Sequence, residues 1–134
     1  MSVNLIIDDI YNYVSDSLTL YSDMDIDVFK TDDGSRIMLR NLPSNAEQGI
    51  DFKGNRYGGY TFEIWARSLN DVEAKTQLIE IERLFGVERQ IELTDYTSIQ
   101  VKRVANAALA EITEQNEYVY VSQLEIEYIA EGGN

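Results

Sequence analysis

The stretch from Tyr57 to Gly86, YGGYTFEIWARSLNDVEAKTQLIEIERLFG, restricts the fold most, because its side-chain period changes from two to that of a helix within a few residues. Tyr60, Phe62, Ile64 and Ala66 alternate with Thr61, Glu63, Trp65 and Arg67, the pattern of a strand with one buried face. From Val72 onward Val72, Ala74, Leu78, Ile81 and Phe85 recur at helical spacing, with acidic and basic residues between them. Asn70 is placed to cap the first turn, with Glu73 reaching back to it, and Gly86 suits a left-handed C-terminal cap. The sequence therefore predicts a strand and a helix joined by a tight turn and packed on one another.

A chain of 134 residues is long enough to bury a core and short enough for one domain, residues 1–134. Its apolar alternation argues against disorder. Charge is the next constraint: 24 acidic against 11 basic residues give a net charge of -13, which repels nucleic-acid backbones and anionic membrane surfaces. The same repulsion opposes assembly of several copies unless apolar contact, complementary charge or bound cations offset it. With neither cysteine nor histidine, disulfides, thiol chemistry, thiolate metal sites and every His-dependent triad are excluded. The start, MSVNLIIDDIYNYV, lacks the basic segment of a signal peptide, and no apolar run is long enough to span a membrane. The expectation is a soluble protein made in the cytoplasm, with no membrane partner.

Val3, Ile6, Ile7, Ile10, Val14 and Leu18 share one face of a first helix, from Val3 to about Leu20, with Ser2 as its cap. Asp23, Asp25 and Asp27 have the spacing that opens a calcium loop, but Val28 stands where that loop needs glycine and Gly34 where it needs glutamate. The metal reading fails, leaving an acidic lead-in, its carboxylates in water, to a strand Ile26 to Lys30. That strand is expected to turn at Asp32 to Gly34 into a return strand, Arg36 to Leu42, forming a hairpin ended by Pro43.

Ser44 to Gly59 is glycine-rich and weakly patterned, either a loop or two short strands around Lys53, Gly54 and Asn55. It holds no phosphate-binding motif and precedes a strand instead of opening a helix. After an extended connector, Val87 to Leu93, the segment Thr97 to Arg103 alternates. So does Tyr118 to Ile129, where Tyr118, Tyr120, Leu124, Ile126 and Tyr128 share a face. ANAALAEITEQNE between them suits a helix or a hairpin arm; the hairpin is favoured, turning at Glu114 to Glu117, with the alanine run marking a bulge or a close approach by another chain. Glu131 to Asn134 is expected to fray.

The pattern is α+β: a largely antiparallel β-sheet with two amphipathic helices packed on one face. Trp65, Val119 and Val121 fall on the opposite face, which makes the one tryptophan a candidate for an interface. No catalytic constellation, cofactor motif or metal site stands out, so no catalytic residue is assigned and a carboxylate-only or Mg²⁺-dependent enzyme is the weaker alternative.

The run GGYTFEIWARSLNDVEAKTQLIEIERLF, with Leu42-Pro43 upstream, the short N-terminal amphipathic helix and the late strand YVYVSQLEIEY, resembles the minor capsid and tail terminator proteins of tailed bacteriophages. The likeness is one of hydrophobic pattern over most of the chain and carries no catalytic residue. It implies a virion subunit, without cofactor, that forms a hexameric ring at the head-proximal end of the tail tube and meets the tube protein and the head-completion protein. DNA would be cargo passing through the lumen. A different neck component is the alternative within the same class. Beside the resemblance, Lys53, Arg56, Tyr57, Trp65 and Arg67 are the candidate subunit-interface residues, the basic ones as partners for acidic surfaces on the next copy.

Overall fold

The computed structural model describes residues 4–31, 34–42, 49–50, 56–87, 93–94 and 97–130. In chain order the elements are α1 (Asn4–Ser17), β1 (Met24–Ile26), β2 (Arg36–Asn41), β3 (Gly49–Ile50), β4 (Arg56–Ser68), α2 (Asp71–Val87), β5 (Thr97–Ile112) and β6 (Tyr118–Ala130). They form the expected α+β fold, a six-stranded sheet ordered β1-β2-β4-β6-β5, with β3 also pairing with β4. All pairings are antiparallel except β1 with β2.

β4 lies at the centre because its even-numbered residues leave no exposed apolar gap: Tyr60, Phe62, Ile64 and Ala66 are all buried. Register carries that face outward, since directly opposed residues point the same way. Ile37 meets Ala66 and Leu39 meets Ile64 on one side; Leu124 meets Phe62 and Ile126 meets Tyr60 on the other. A one-residue slip would turn the whole apolar set to solvent, so the pairing is strongly specified.

The helices cover this face. α1 buries Ile6, Ile7, Ile10 and Val14, and α2 buries Ala74, Leu78, Ile81 and Phe85. They meet through Tyr13, whose ring lies edge-on to Phe85 at 5.4 Å and whose hydroxyl donates to the Leu84 carbonyl at 3.2 Å. Val72 does not join this stripe and is 70% exposed. It precedes Ala74 by two positions, about 200° around the helix, so a face centred on Ala74 and Leu78 turns it outward.

The expected cap forms with one change. The Glu73 amide donates to Asn70 Oδ1 at 3.1 Å, but Glu73 Oε1 accepts from the Ser68 hydroxyl (2.8 Å), which itself accepts from the Asn70 amide (3.0 Å). The reciprocal half of the box thus runs through Ser68. Replacing Asn70 by alanine removes the first bond and is expected to lower stability by about 1 kcal/mol, read from urea midpoints. Gly86 is not a left-handed cap: it lies inside α2, and among the described residues the one glycine with positive φ is Gly34, at 92°.

The expected first hairpin is overturned. β1 pairs parallel with β2, Met24 opposite Ile37 and Ile26 opposite Leu39, so the two cannot be joined by a tight turn. The cause is local: Asp27 takes φ 68° and its side chain accepts from the Asn41 amide at 2.9 Å, which bends the chain away after Ile26. Residues 28–30 are consequently no strand; Phe29 instead crosses the helix-free side of the sheet and lies against Trp65 and Arg67.

The ambiguous alanine segment is an arm of the β5–β6 hairpin. Its turn is closed by the Thr113 amide to the Glu117 carbonyl (2.9 Å), with Asn116 in the left-handed region. Four register shifts leave extra residues on β5, two of them beside Ala105, which is the expected bulge. β3 pairs Gly49 with Tyr57 and Ile50 with Arg56, as two short strands flanking Lys53 would; the tip between them lies outside the described residues. So do Ser2, Pro43, most of the Val87 to Leu93 connector and the tail from Glu131.

Candidate interaction surface

The helix-free face of the sheet holds the sequence candidates that the structure describes in full. Trp65 is half-buried there: Phe29 stands edge-on to it at 6.4 Å, the Arg40 guanidinium lies 5.8 Å from its ring centre, and its Nε1 donates to Glu63 Oε1 at 3.1 Å. A tryptophan held on three sides is a rigid apolar platform with its polar edge already satisfied, the form that suits an interface anchor.

Around it the face is acidic. Glu63, Glu125 and Glu127 project from β4 and β6, countered by Arg40, which is 3.9 Å from Glu63, and by Lys102, which is 2.9 Å from Glu127. The Lys102 hydrogen bond holds the Glu127 carboxyl below its ordinary pKa, although burial pushes it up. The Glu127 charge therefore persists near neutral pH.

Arg67 is placed differently. It is 5% exposed, and its guanidinium donates to the Gly34 and Thr31 carbonyls, both at 2.8 Å, and to Thr31 Oγ1 at 3.1 Å. It lies over the Phe29 ring at 4.3 Å, with Glu117 Oε2 3.7 Å from its Nε. These bonds tie the 27–35 crossover to the start of β6, so Arg67 holds the subunit together and has little surface left for a neighbour.

Arg56 and Tyr57 begin β4, opposite Ala130 and Ile129, and their side chains lie outside the described part, as does the whole of Lys53. Nine strand positions separate Arg56 from Trp65, about 30 Å. Among the described residues, Trp65 and Arg67 share Phe29 near the end of β4, and Arg56 and Tyr57 stand at its beginning, so these four positions are not neighbours on the strand.

In the acidic lead-in Asp23 and Asp27 are exposed, as expected, and Asp25 is not. Asp25 is 1% exposed, ion-paired with Arg36, and accepts from the Lys30 amide and Arg36 Nε, both at 3.0 Å. Its carboxylate is in the protein, not in water. Among the described residues no three acidic side chains gather to hold a metal ion, and no helix is long and apolar enough to cross a membrane. Burial pushes the Tyr21 phenol well above its ordinary range, with Glu73 adding to the rise, so it stays a donor, to the Arg67 carbonyl at 3.0 Å. The site chemistry available is that of contact: aromatic anchors, carboxylates and sheet edges.

Sequence reasoning missed the exposed apolar side chains at the sheet margins: Ile26 and Val28 by β1, and Val104, Leu109 and Ile112 on β5. Their sequence pattern is that of core residues. Only the strand order reveals them as outermost.

No protein-family model matches this chain, and no curated protein matches it. Among solved structures, a chain from the virion of a native gene transfer agent (GTA) particle has the same fold, with a TM-score of 0.71 at 11% identity. The match spans 96% of this chain and 97% of that one, so the two share their architecture from end to end.

Proposed function

We propose that this chain is a structural virion protein of a tailed bacteriophage or phage-like particle, a subunit of a ring that caps the head-proximal end of the tail tube and joins it to the head-completion protein. The observation that carries the reading is the two-way coverage of the fold match to a virion chain, 96% and 97%. The hydrophobic pattern of residues 57–86 points to the tail-terminator branch of such proteins. The helix-free sheet face supports it: a rigid sheet lined with Glu63, Glu125 and Glu127 would let DNA pass a lumen without adhering. The chain acts as one unit, residues 1–134, made in the host cytoplasm and carried in the virion.

Electron microscopy of tubes formed by the cognate tube protein, with and without this chain, tests the role. Tubes of bounded length carrying a ring at one end are expected with it. Long, uncapped tubes in both samples would overturn the tail-side assignment and favour a head-side neck component.

A further inference from the structure

We infer that residues 28–31 form a strap that closes over a second, small core on the helix-free face and opens as a unit while the main core stays folded. The device belongs to the single subunit and holds whether or not copies assemble. Met38 opposes Trp65 and Arg67 opposes Val119, so these four residues point away from Ile64, Ala66 and the helices. Met38, Arg67 and Val119 are nevertheless buried, and neither Met38 nor Val119 belongs to the main core that the two helices cover. Among the described residues, the element that crosses this side is the strap, whose Phe29 stands edge-on to Trp65 and against the Arg67 guanidinium.

The strap is held unevenly along its length. Left-handed residues flank it, and both are tied down. Asp27, at φ 68°, donates its amide to the Leu39 carbonyl at 2.8 Å and accepts from the Asn41 amide at 2.9 Å. Gly34, at φ 92°, donates its amide to Glu117 and accepts from Arg67 Nε at 2.8 Å. The Val28 amide closes back on the Ile26 carbonyl at 2.9 Å around Asp27, a γ-turn in its strained, positive-φ form. Such end residues are suited to absorb the dihedral change of a hinge. Between them the attachments are few: the Phe29 ring, the Lys30 amide on Asp25 at 3.0 Å, and the Arg67 guanidinium on the Thr31 carbonyl and Oγ1. Val28, Lys30 and Thr31 are exposed and Phe29 is half-buried. A segment with so little buried apolar contact opens at a lower free energy than the whole fold.

Opening changes what the helix-free face presents. Closed, it shows Glu63, Glu125 and Glu127 beside a Trp65 that Phe29 partly covers. Open, it bares Met38, Trp65 and Val119 with the Arg67 guanidinium among them, an apolar spot on an acidic face. Arg67 keeps Glu117 beside it, with Oε2 3.7 Å from Nε, so lifting the strap leaves neither charge buried alone. The ion pair thus stays with the sheet and the strap moves past it.

The chain has no cysteine, so a thiol introduced at one position reports that position alone. Met38→Cys places it under the strap, and Leu39→Cys, one residue on, places it in the main core. Labelling by a small disulfide reagent is timed for each full-length variant in water and in low urea. Met38→Cys is expected to label at least about tenfold faster than Leu39→Cys, at a rate nearly indifferent to urea, because lifting the strap exposes little surface. Leu39→Cys should label through unfolding of the whole sheet, at a rate that climbs steeply with urea. Adding Phe29→Ala to Met38→Cys should speed labelling by about another tenfold. Wild type supplies a measurement free of any variant: the Lys30 amide should exchange with deuterium at least about tenfold faster than the ladder amides of β4, with the same weak urea dependence. Equal labelling at positions 38 and 39, no response to Phe29→Ala, or a Lys30 amide that exchanges in step with β4 would each overturn the strap.

Discussion

Replacing Arg67 with alanine is expected to lower the unfolding free energy by about 3–5 kcal/mol, the range for removing one partner of a buried ion pair. The magnitude follows from what remains. Among the described residues, Glu117, 1% exposed, would keep the Gly34 amide and the Thr113 hydroxyl, at 3.3 Å from Oε1, as partners for a full negative charge. The Gly34 and Thr31 carbonyls would lose their donor at once, and Phe29 would lose the cation over its ring. Arg67→Met retains the packing and should recover little, because the cost lies in the orphaned carboxylate. Arg67→Met combined with Glu117→Gln should recover part of the loss, giving a double-mutant coupling of at least about 1 kcal/mol. Urea denaturation reads all three. A loss below about 1 kcal/mol for Arg67→Ala would mean that the crossover is held by other contacts.

That Arg67 serves the fold was not legible in the sequence, and the reason is physical. Alternation in β4 assigns Arg67 to the face away from Tyr60 and Ile64, which the structure bears out. It cannot report that Phe29, 38 positions earlier, returns to cover that end of the face. The strand-turn-helix unit was readable because its determinants are local: a period change, a capping Asn70 and the stripe from Ala74 to Phe85. The late hairpin was readable because Leu124, Ile126 and Tyr128 alternate with Gln123, Glu125 and Glu127 along β6. The β1–β2 relation was not, since a parallel pair and a hairpin need the same alternating residues, and the choice turns on one left-handed Asp27. Val72 shows the same limit at smaller scale: its hydrophobicity fits the helix stripe, and only its angle around α2 puts it in solvent.

Asp25 sets the second large effect, and it is a pH effect. Burial pushes its carboxyl up, but the hydrogen bonds from Arg36 and the Lys30 amide, with the Arg36 charge, outweigh burial and hold it below the ordinary carboxylate range. A carboxyl that titrates lower in the folded chain than in the unfolded one makes the unfolded state bind more protons as the solution is acidified. Its contribution is therefore complete above about pH 4, the unfolded value, and is lost as pH falls through the lower folded value. Asp25→Asn is expected to cost about 3 kcal/mol at neutral pH, the lower end for a broken buried pair because the Arg36 side chain keeps 19% of its surface in water. The difference between wild type and the variant should be flat near neutrality and shrink steadily below about pH 4, since acid removes from the wild type the charge the variant already lacks. Subtracting the two curves cancels the other carboxylates, which both proteins share. A difference that stayed constant down to the acid limit would mean that the Lys30 and Arg36 hydrogen bonds stabilise the β1–β2 margin without the ionised carboxylate.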